Sequence, residues 1–311
     1  MTAALICGSL AYDTIMVFPD QFKNHILPDK VHILNVSFLV PRMRREFGGC
    51  AGNIAYNLHL LGGKPLPMAT VGADFGPYRQ HFSELGIPLT HVKEIADLYT
   101  AQAFITTDLD DNQITAFHPG AMMRSYENHV RDVPGVGFGI VGPDGYEAML
   151  QNCTEFAECG IPFIFDPGQA MPLYNGEELR RMIDQATYVT VNDYESSLLQ
   201  ERTGWSAEDI AKKVKAYFIT RGPKGSEVHT PDGMIHIPSA TAMRVVDPTG
   251  CGDAYRAGLI FGFMKGLDLA TTGRIASLMG ALKIEHLGPQ NQRFDHAEFA
   301  EQFRQQFGYA L

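Results

Sequence analysis

The sequence predicts an α/β fold in which a mostly parallel sheet is covered by helices on both faces. Short apolar stretches of strand length alternate with longer stretches of helical periodicity along most of the 311 residues. Such alternation is typical of parallel sheets built from strand–helix–strand units. The predicted strands are Ala3–Cys7, Leu66–Val71, Val136–Val141, Pro162–Phe165, Tyr188–Val191 and Ala216–Thr220.

The helices are predicted from apolar residues that recur on one face. Ile54, Leu58 and Leu61 are spaced i, i+4 and i+7, so a helix is expected to begin just after the glycine pair at 48–49. Met149 and Phe156 indicate a second helix, and Phe299, Phe303 and Phe307 indicate a third one near the C-terminus.

Two segments break the alternation and predict a small β-sheet outside the main one. His32–Val40 and Gln102–Phe117 are rich in β-branched and aromatic residues, and the turn sequence D-D-N at 110–112 divides the second. Such strands either cover a binding site or form a surface hairpin pair without function. Ligands of open α/β sheets lie beyond the carboxyl ends of the strands, so the chemistry is expected on strand-to-helix turns.

Composition and charge narrow the classes of partner. Hydrophobic residues make up 45% and charged residues 19%, as in ordinary globular proteins. The formal charge of −10 disfavours nucleic acid or an anionic membrane as main partner. It leaves room for an anionic small molecule, because backbone N–H groups can build a local phosphate site. Five scattered cysteines without C-x-x-C, and a start that reads as a core strand instead of a signal peptide, predict a cytoplasmic protein.

The strongest chemical signal is the run D-P-T-G-C-G-D-A-Y-R-A-G at 247–258. Its Gly-x-Gly turn lets backbone N–H groups converge at the start of a helix, whose dipole adds about half a positive charge. Such a turn suits the charge on phosphoryl oxygens during transfer. Asp253 in the same turn can accept the proton of an attacking hydroxyl. Taken alone, this aspartate is explained nearly as well by a helix N-cap.

Two further turns carry groups suited to a hydroxyl-rich ligand. In G-G-C-A-G-N at 48–53 the glycine pair permits close approach to the backbone, and Asn53 offers both a donor and an acceptor. In G-S-L-A-Y-D at 8–13, Asp13 can accept hydrogen bonds from two vicinal hydroxyls. Either turn, taken alone, is equally well explained as a structural turn.

Together these segments resemble the PfkB, or ribokinase-like, family of carbohydrate and nucleoside kinases. Residues 48–72 are similar to its first signature, and 247–258 to its second, whose usual core is D-T-x-G-A-G-D. Between them, N-D-Y-E at 192–195 is similar to the family's N-x-x-E, and T-R-G-P-K-G at 220–225 to its T-x-G-x-x-G. The resemblance implies a ribokinase-like three-layer α/β/α sandwich. It also implies one kinase domain over 1–311, with a β-sheet lid from roughly 14–46 and 100–123.

The resemblance implies a role for each matching residue. Asp253 is expected to be the general base, and the catalytic anion hole is expected to consist of the backbone amides of Gly250, Cys251 and Gly252. The acceptor is expected to contact Ser9, Asp13, Gly49, Asn53, Phe117 and Gln169. ATP is expected to contact Asn192, Thr220, Gly222, Gly225, Gly250 and Gly252.

Two ions also follow from the resemblance. Asn192 and Glu195 are expected to organise Mg²⁺ and its waters near the phosphates. Asp247 and Thr249 would help to hold a monovalent cation such as K⁺, as in those members of the family that use one. Pro248 and Cys251 depart from the usual signature, but both positions act mainly through backbone. A proline cannot donate an N–H, which weakens the prediction of the cation.

A finer resemblance, to a bacterial adenosine kinase type within the family, bears on the acceptor. Matching segments include S-F-L-V at 37–40, G-A-D-F at 72–75 and F-H-P-G-A-M at 117–122. In that type, lid aromatics sandwich the adenine and glutamines contact the nucleoside. Phe117 and Gln169 match, but the second aromatic falls at or beside Ala103, next to Phe104, and the second glutamine is Ala170. The resemblance favours adenosine, with a fructokinase- or ribokinase-type sugar acceptor as the alternative.

Two other functional classes are weighed against this one. A non-catalytic, metabolite-binding regulator is disfavoured because Asp253 and the Gly-x-Gly turn are retained. G-F-G-I-V-G at 137–142 matches a dinucleotide-binding pattern, but no helix opens within it, so an NAD-dependent oxidoreductase is disfavoured too. The expected partners are therefore ATP and a small nucleoside or sugar, without nucleic acid or membrane. A homodimer through the exposed lid strands is also expected.

Overall fold

The computed structural model describes residues 2–26, 35–110 and 112–311. Its strands are β1 (Ala3–Cys7), β2 (Ala11–Val17), β3 (Arg42–Gly48), β4 (Pro65–Gly72), β5 (His91–Ile95), β6 (Ala101–Thr107), β7 (Gln113–His118), β8 (Val136–Val141), β9 (Phe163–Phe165), β10 (Tyr188–Asn192), β11 (Ala216–Thr220), β12 (Ser226–Thr230) and β13 (Gly233–Ile237). Its α-helices are α1 (Cys50–Leu60), α2 (Gly76–Leu85), α3 (Tyr146–Glu158), α4 (Gly176–Gln185), α5 (Asp193–Thr203), α6 (Ala207–Ala211), α7 (Cys251–Met264), α8 (Leu269–Ile284) and α9 (His296–Phe307). None of these helices combines the length and apolar character that a bilayer crossing needs.

Nine strands form the main sheet in the order β13-β12-β11-β10-β9-β8-β1-β4-β5. All neighbours from β11 to β5 are parallel, and β12 and β13 add an antiparallel edge. The six strands predicted from the sequence are confirmed, each to within one residue. The three predicted helices are also confirmed, as α1, α3 and α9.

The side chains of β1 show why the sheet needs helices on both faces. Ile6 belongs to an apolar cluster that includes residues of α1 and α7, whereas Leu5 belongs to a second cluster that includes residues of α3, α4 and α5. Because successive strand residues point to opposite faces, both faces of this strand are buried. The result is the three-layer sandwich that the sequence predicts.

The remaining four strands form a separate sheet in the order β3-β2-β6-β7, here called the lid sheet. The predicted strand at 102–117 is confirmed as β6 and β7, and Asp111 of the predicted turn lies outside the described residues. The predicted strand His32–Val40 is wrong in its described part. Residues 32–34 lie outside the description, 35–40 form no strand, and β3 pairs with β2 instead. The ring of Phe38 packs 4.7 Å from that of Phe18, so this apolar stretch contributes to an aromatic cluster instead of a ladder.

The lid sheet also differs from the predicted lid in its bounds. Its first strand begins at Ala11, before the predicted boundary at 14. Residues 120–123 belong to a 3₁₀ helix, Gly120–Glu127, that is fixed to the main sheet because Thr70 Oγ1 donates to the carbonyl of Ala121 at 2.6 Å. The end of the second predicted lid segment therefore belongs to the body of the protein.

Close packing of α7 on α8 fixes the position of the glycine-rich turn. A Cβ added to Gly258 of α7 would lie 2.5 Å from the Cα of Ala276 in α8. Only a residue without a side chain allows the two backbones to approach this closely. The start of α7 is thereby held against the end of α8 and the residues that follow it.

Candidate active site

The candidate site is centred on Asp253, in the first turn of α7. Its half-buried carboxylate faces α1, where Asn53 Nδ2 donates to Asp253 Oδ2 at 2.8 Å. These residues are 200 positions apart in the chain, and each belongs to a different signature of the sequence. The structure therefore brings the predicted base and a predicted acceptor ligand into direct contact.

A buried amide network orients Asn53. Gln290 Nε2 donates to Asn53 Oδ1 at 3.0 Å and to the hydroxyl of Tyr78 at 2.7 Å. The Tyr78 hydroxyl in turn donates to the carbonyl of Gly48 at 2.8 Å. Because Asn53 Oδ1 accepts from Gln290, its NH₂ group faces Asp253. Neither Gln290 nor Tyr78 was predicted, since neither lies in a recognisable motif.

The electrostatics of the site favour proton uptake at Asp253. Burial raises the pKa of Asp253 to about 6, with further increases from Asp166 and Asp13, while the bond from Asn53 opposes them. Burial likewise raises the pKa of Asp13 to about 6, together with the nearby charges of Glu46 and Asp247. A carboxylate whose pKa lies close to neutrality is suited to general-base work.

The glycine turn, residues 247–252, presents free backbone donors to the same region. Gly250 has a φ of 82°, a left-handed conformation that favours glycine. The amides of Gly250, Gly252 and Asp253 find no acceptor among the described residues, whereas the Cys251 N–H donates to the carbonyl of Pro248 at 3.1 Å. Of the three amides predicted to form the anion hole, the Cys251 N–H is thus already used within the turn.

Asp247 anchors the glycine turn. Its carboxylate accepts from the backbone N–H of Thr249 and from that of Gly288, each at 2.9 Å, and Arg44 Nη2 of the lid sheet lies 3.4 Å from it. Burial opposes ionisation, but these amide bonds hold the pKa of Asp247 below its usual range. The two residues predicted to bind a monovalent cation are therefore joined to each other through this carboxylate.

The predicted nucleotide residues lie at the ends of two neighbouring strands. Asn192 of β10 and Thr220 of β11 are cross-strand partners. Gly222 and Gly225 follow in the next turn. The φ of Gly225 is 83°, and a Cβ there would lie 2.9 Å from the amide of Ser239. A glycine is needed at this position because the backbone of 237–239 lies against it, whereas nothing lies within 4 Å of a Cβ added to Gly222.

Asn192 and Glu195 form a reciprocal helix cap. The side chain of Asn192 accepts from the Glu195 N–H at 2.8 Å, and Glu195 Oε2 accepts from the Asn192 N–H at 2.8 Å. The N-x-x-E pattern is thus a capping box at the start of α5. Burial raises the pKa of Glu195, and the nearby carboxylate of Asp166 adds to the effect. A carboxylate with a raised pKa would be stabilised by a further nearby cation.

A buried ion pair that the sequence did not predict lies beneath α7. Asp166, directly after β9, accepts from Nε and Nη2 of Arg256, the latter at 2.9 Å. The Arg256 guanidinium is 3.9 Å from Glu195 Oε2, and a Cβ on Gly252 would lie 2.8 Å from its Nη1. Arg256 belongs to the motif at 247–258, and its charge within that motif was the available signal.

The register of the lid sheet shows which side chains share a face. Asp13 pairs with Ala103, and Ala103 pairs with Phe117, so the three lie in one row across β2, β6 and β7. Cross-strand partners point to the same face. Phe104 follows Ala103 directly and therefore points to the opposite face, so it cannot take the place of the second aromatic beside Phe117. Gln169 is exposed in a 3₁₀ helix and makes no side-chain hydrogen bond to any described residue.

The remaining predicted acceptor residues lie together at the start of α1. The Cys50 N–H donates to Ser9 Oγ at 3.2 Å. Gly49 has a φ of 83°, and a Cβ there would lie 2.5 Å from the Ser9 carbonyl. The turn after β1 and the turn after β3 are thus in contact, beside Asn53.

Comparison with known proteins shows which family the chain resembles over most of its length. Residues 12–295 match the model of the pfkB family carbohydrate kinases. A nucleoside kinase of Methanocaldococcus jannaschii is 32% identical over 261 residues, which cover 82% of this chain and 85% of the relative.

Two solved structures are similar over nearly the full length. The nucleoside kinase of Burkholderia thailandensis in complex with inosine is 54% identical, with a TM-score of 0.92 and 99% of each chain covered. The same enzyme in complex with ADP-inosine is 56% identical, with a TM-score of 0.89, and the match covers 99% of this chain and 97% of that one.

Proposed function

The chain belongs to the pfkB family of carbohydrate kinases, ATP-dependent enzymes with an alcohol acceptor, and from this premise we propose that its acceptor is the hydroxymethyl group of a nucleoside. The observation that carries the proposal is the contact between Asn53 and Asp253 beside the free amides of the glycine turn. The similarity to a kinase solved with inosine supports a nucleoside over a plain sugar.

The proposed chemistry is a single phosphoryl transfer. The acceptor oxygen forms a bond to the γ-phosphorus of ATP, the bond from that phosphorus to the ADP oxygen breaks, and the acceptor proton passes to the Asp253 carboxylate. Asn53 holds this carboxylate in place through its 2.8 Å bond. The free amides of Gly250 and Gly252, at the positive end of α7, stabilise the charge on the phosphoryl oxygens.

The acceptor would be held between the two turns at the start of α1 and the row on the lid sheet. Ser9, Gly49 and Asn53 form one wall, and Asp13 is placed to accept from sugar hydroxyls. Phe117, in the same row as Asp13 and 52% exposed, is free to stack on a base. Stacking on one aromatic face contributes about 1–3 kcal/mol.

The nucleotide would lie across the ends of β10 and β11. Thr220, Gly222 and Gly225 offer the open turn for ATP, and Asn192 lies next to them. Mg²⁺ usually binds through one or two carboxylates, waters and phosphate oxygens. The carboxylate of Glu195, whose pKa is raised by burial, fits that donor set. Bound there, Mg²⁺ would neutralise charge on the phosphates. The homodimer through the lid stays a prediction.

We propose adenosine as the first acceptor to test, with inosine beside it because a similar kinase binds inosine. Ala103 opposite Phe117 leaves only one aromatic in the row, and this specific feature favours the alternative of a plain sugar such as ribose or fructose. Steady-state kcat/KM for all four acceptors should be highest for a nucleoside. A sugar that exceeds both nucleosides would establish the alternative, and no turnover despite binding would indicate a regulator.

Replacement of Phe117 by Ala should lower kcat/KM for nucleosides about tenfold or more and leave that for ribose unchanged, since stacking contributes about 1–3 kcal/mol. Ile114→Ala is the matched control, because Ile114 lies on the same strand with its side chain on the opposite face and is also exposed. An equal loss for ribose and adenosine would show that Phe117 only supports the lid.

The pH dependence of kcat/KM should report Asp253 together with Asp13, since burial raises the pKa of both to about 6. The carboxylate form of Asp253 accepts the proton, so activity should fall at least about tenfold per pH unit as the pH drops below this pKa. Asp13→Asn removes a negative charge that raises the pKa of Asp253, so the acidic limb should move to lower pH. A limb that stays in place in this variant would contradict the coupling.

A further inference from the structure

Lys283, in the last turn of α8, carries an ammonium group inside the protein. Its side chain is fully buried, with an exposed fraction of 0%. Its Nζ donates to the carbonyl of Asp247 at 2.8 Å and to the carbonyl of His286 at 3.0 Å. Among the described residues, no carboxylate oxygen lies within salt-bridge distance of it. The charge is therefore held by carbonyl dipoles, much as a bound monovalent cation is.

The two carbonyls belong to two different loops that meet at this ammonium. The N–H groups of Val246 and Asp247 both donate to the carbonyl of Ile284, at 2.9 and 3.1 Å. The Gly288 N–H donates to the Asp247 carboxylate. The ammonium thus closes a ring of contacts between the start of the glycine turn and the loop after α8.

The aliphatic part of the Lys283 side chain also lies close to Gly250 of the glycine turn. A Cβ added to Gly250 would lie 3.7 Å from Cε of Lys283. Gly250 is the N-cap of α7, and its N–H is one of the free donors. The positive charge is therefore close to the place where, on the proposed function, negative charge gathers on the phosphoryl group.

An ammonium at this depth is costly for folding, since burial of a charge without an ionic partner is unfavourable even when hydrogen bonds remain. A methionine of similar length would fill the same space without this cost. A methionine could not, however, donate to the carbonyls of Asp247 and His286, so the ammonium does more than fill space.

We propose that Lys283 is a positioning residue that acts as a built-in monovalent cation. Its ammonium holds the carbonyls of both loops and so fixes the amides of the glycine turn, and the enzyme consequently needs no K⁺. This assigns to a side chain the place that the sequence predicted for a bound ion at Asp247 and Thr249. The inference rests on the proposed kinase function, but its structural part is testable without activity.

The test compares the wild-type protein with Lys283→Ala, which leaves a cavity that includes the place of the ammonium. Wild-type kcat should be the same in KCl as in choline chloride at equal ionic strength. Without K⁺, kcat of the variant should fall about tenfold or more, with little change in KM. Removal of a donor that contacts the transition state directly costs about 10²–10³ in kcat, and Lys283 acts on such donors indirectly. KCl or NH₄Cl, but not choline chloride, should restore activity.

Thermal melting gives the second readout. K⁺ or NH₄⁺ should raise the melting temperature of Lys283→Ala and not that of wild type. Lys265→Met, which changes an exposed lysine just after α7, is the matched control and should behave as wild type in both assays. A specific rise in melting temperature with no detectable kinase activity in the wild type would support the cation site and contradict only the proposed function.

Three outcomes would overturn the proposal. The first is a wild-type enzyme that requires K⁺. The second is a Lys283→Ala variant with normal kcat in choline chloride. The third is a folded Lys283→Ala variant whose kcat and melting temperature respond equally to all salts. If the alanine variant does not fold, Lys283→Met takes its place in the kinetic test, and the K⁺ requirement of the wild type still decides the question.

Discussion

Replacement of Asp253 by asparagine is expected to lower kcat a hundredfold or more, while KM for the acceptor changes little. General-base catalysis typically contributes about 10²–10⁴ to the rate, and an amide cannot take up the proton of the acceptor hydroxyl. The side chain keeps its shape, and its Oδ1 atom still accepts from Asn53. Steady-state kinetics with a saturating nucleoside and ATP measure the effect, and equilibrium binding of the nucleoside checks that the pocket is intact.

Asp209→Asn is the matched control for this variant. Asp209 is the third residue of α6, as Asp253 is the third residue of α7, so both substitutions remove a negative charge at the same helical position. The backbone N–H of Asp209 donates to the capping hydroxyl of Ser206, and the Asp209 side chain is half-buried. Its variant should keep wild-type kcat. Near-normal turnover in Asp253→Asn, or equal losses in both variants, would leave Asp253 with only a structural role in the first turn of α7.

Replacement of Arg256 by methionine is expected to cause the largest loss of stability of any change considered. Arg256 and Asp166 are both almost fully buried, with exposed side-chain fractions of 7% and 3%. Although burial opposes it, the Asp166 carboxylate raises the pKa of Arg256 above its ordinary value. Removal of one partner of such a pair typically costs about 3–5 kcal/mol, because an uncompensated charge remains inside the protein. Urea unfolding followed by circular dichroism measures the change in the free energy of unfolding.

Two further variants separate this charge effect from a loss of packing. The double variant Asp166→Leu/Arg256→Met should recover much of the lost stability, since the Asp166 carboxylate is then no longer buried without a partner. Arg304→Met removes an exposed pair with Glu301 on α9 and should change the free energy of unfolding far less than Arg256→Met does. If the double variant is as unstable as Arg256→Met alone, the loss comes from packing and not from the buried charge.

The order of strands and helices was accessible from the sequence because it depends on periodicity. Strands buried on both faces, such as β8, read as short apolar runs with sharp ends. The segment 35–40 is also rich in apolar residues but pairs with none of the described strands, and its Phe38 packs on the rings of Phe18 and Phe22 instead. Residue type alone does not distinguish an apolar strand from an apolar cluster in a loop.

The site could be predicted only where glycines and polar groups stand together in a turn. Asp253, Asn53 and the glycine turn have this property, and the structure brings them together. Gln290 and Lys283 come from the end of the chain and reach the site only through the packing of α8 on α7. A single glutamine or lysine in an otherwise ordinary stretch carries no local signal of such a contact. The sequence showed the N-x-x-E pattern but not that its two residues cap each other.

The contact from Arg44 to Asp247 joins two parts of the enzyme that would serve different substrates. Arg44 belongs to the lid sheet beside the proposed acceptor pocket, and Asp247 begins the turn that would receive the phosphates. An acceptor that displaces β3 would therefore alter the electrostatic environment in which the nucleotide binds. Thermodynamic linkage is reciprocal, so the nucleotide must then change the affinity for the acceptor by the same factor.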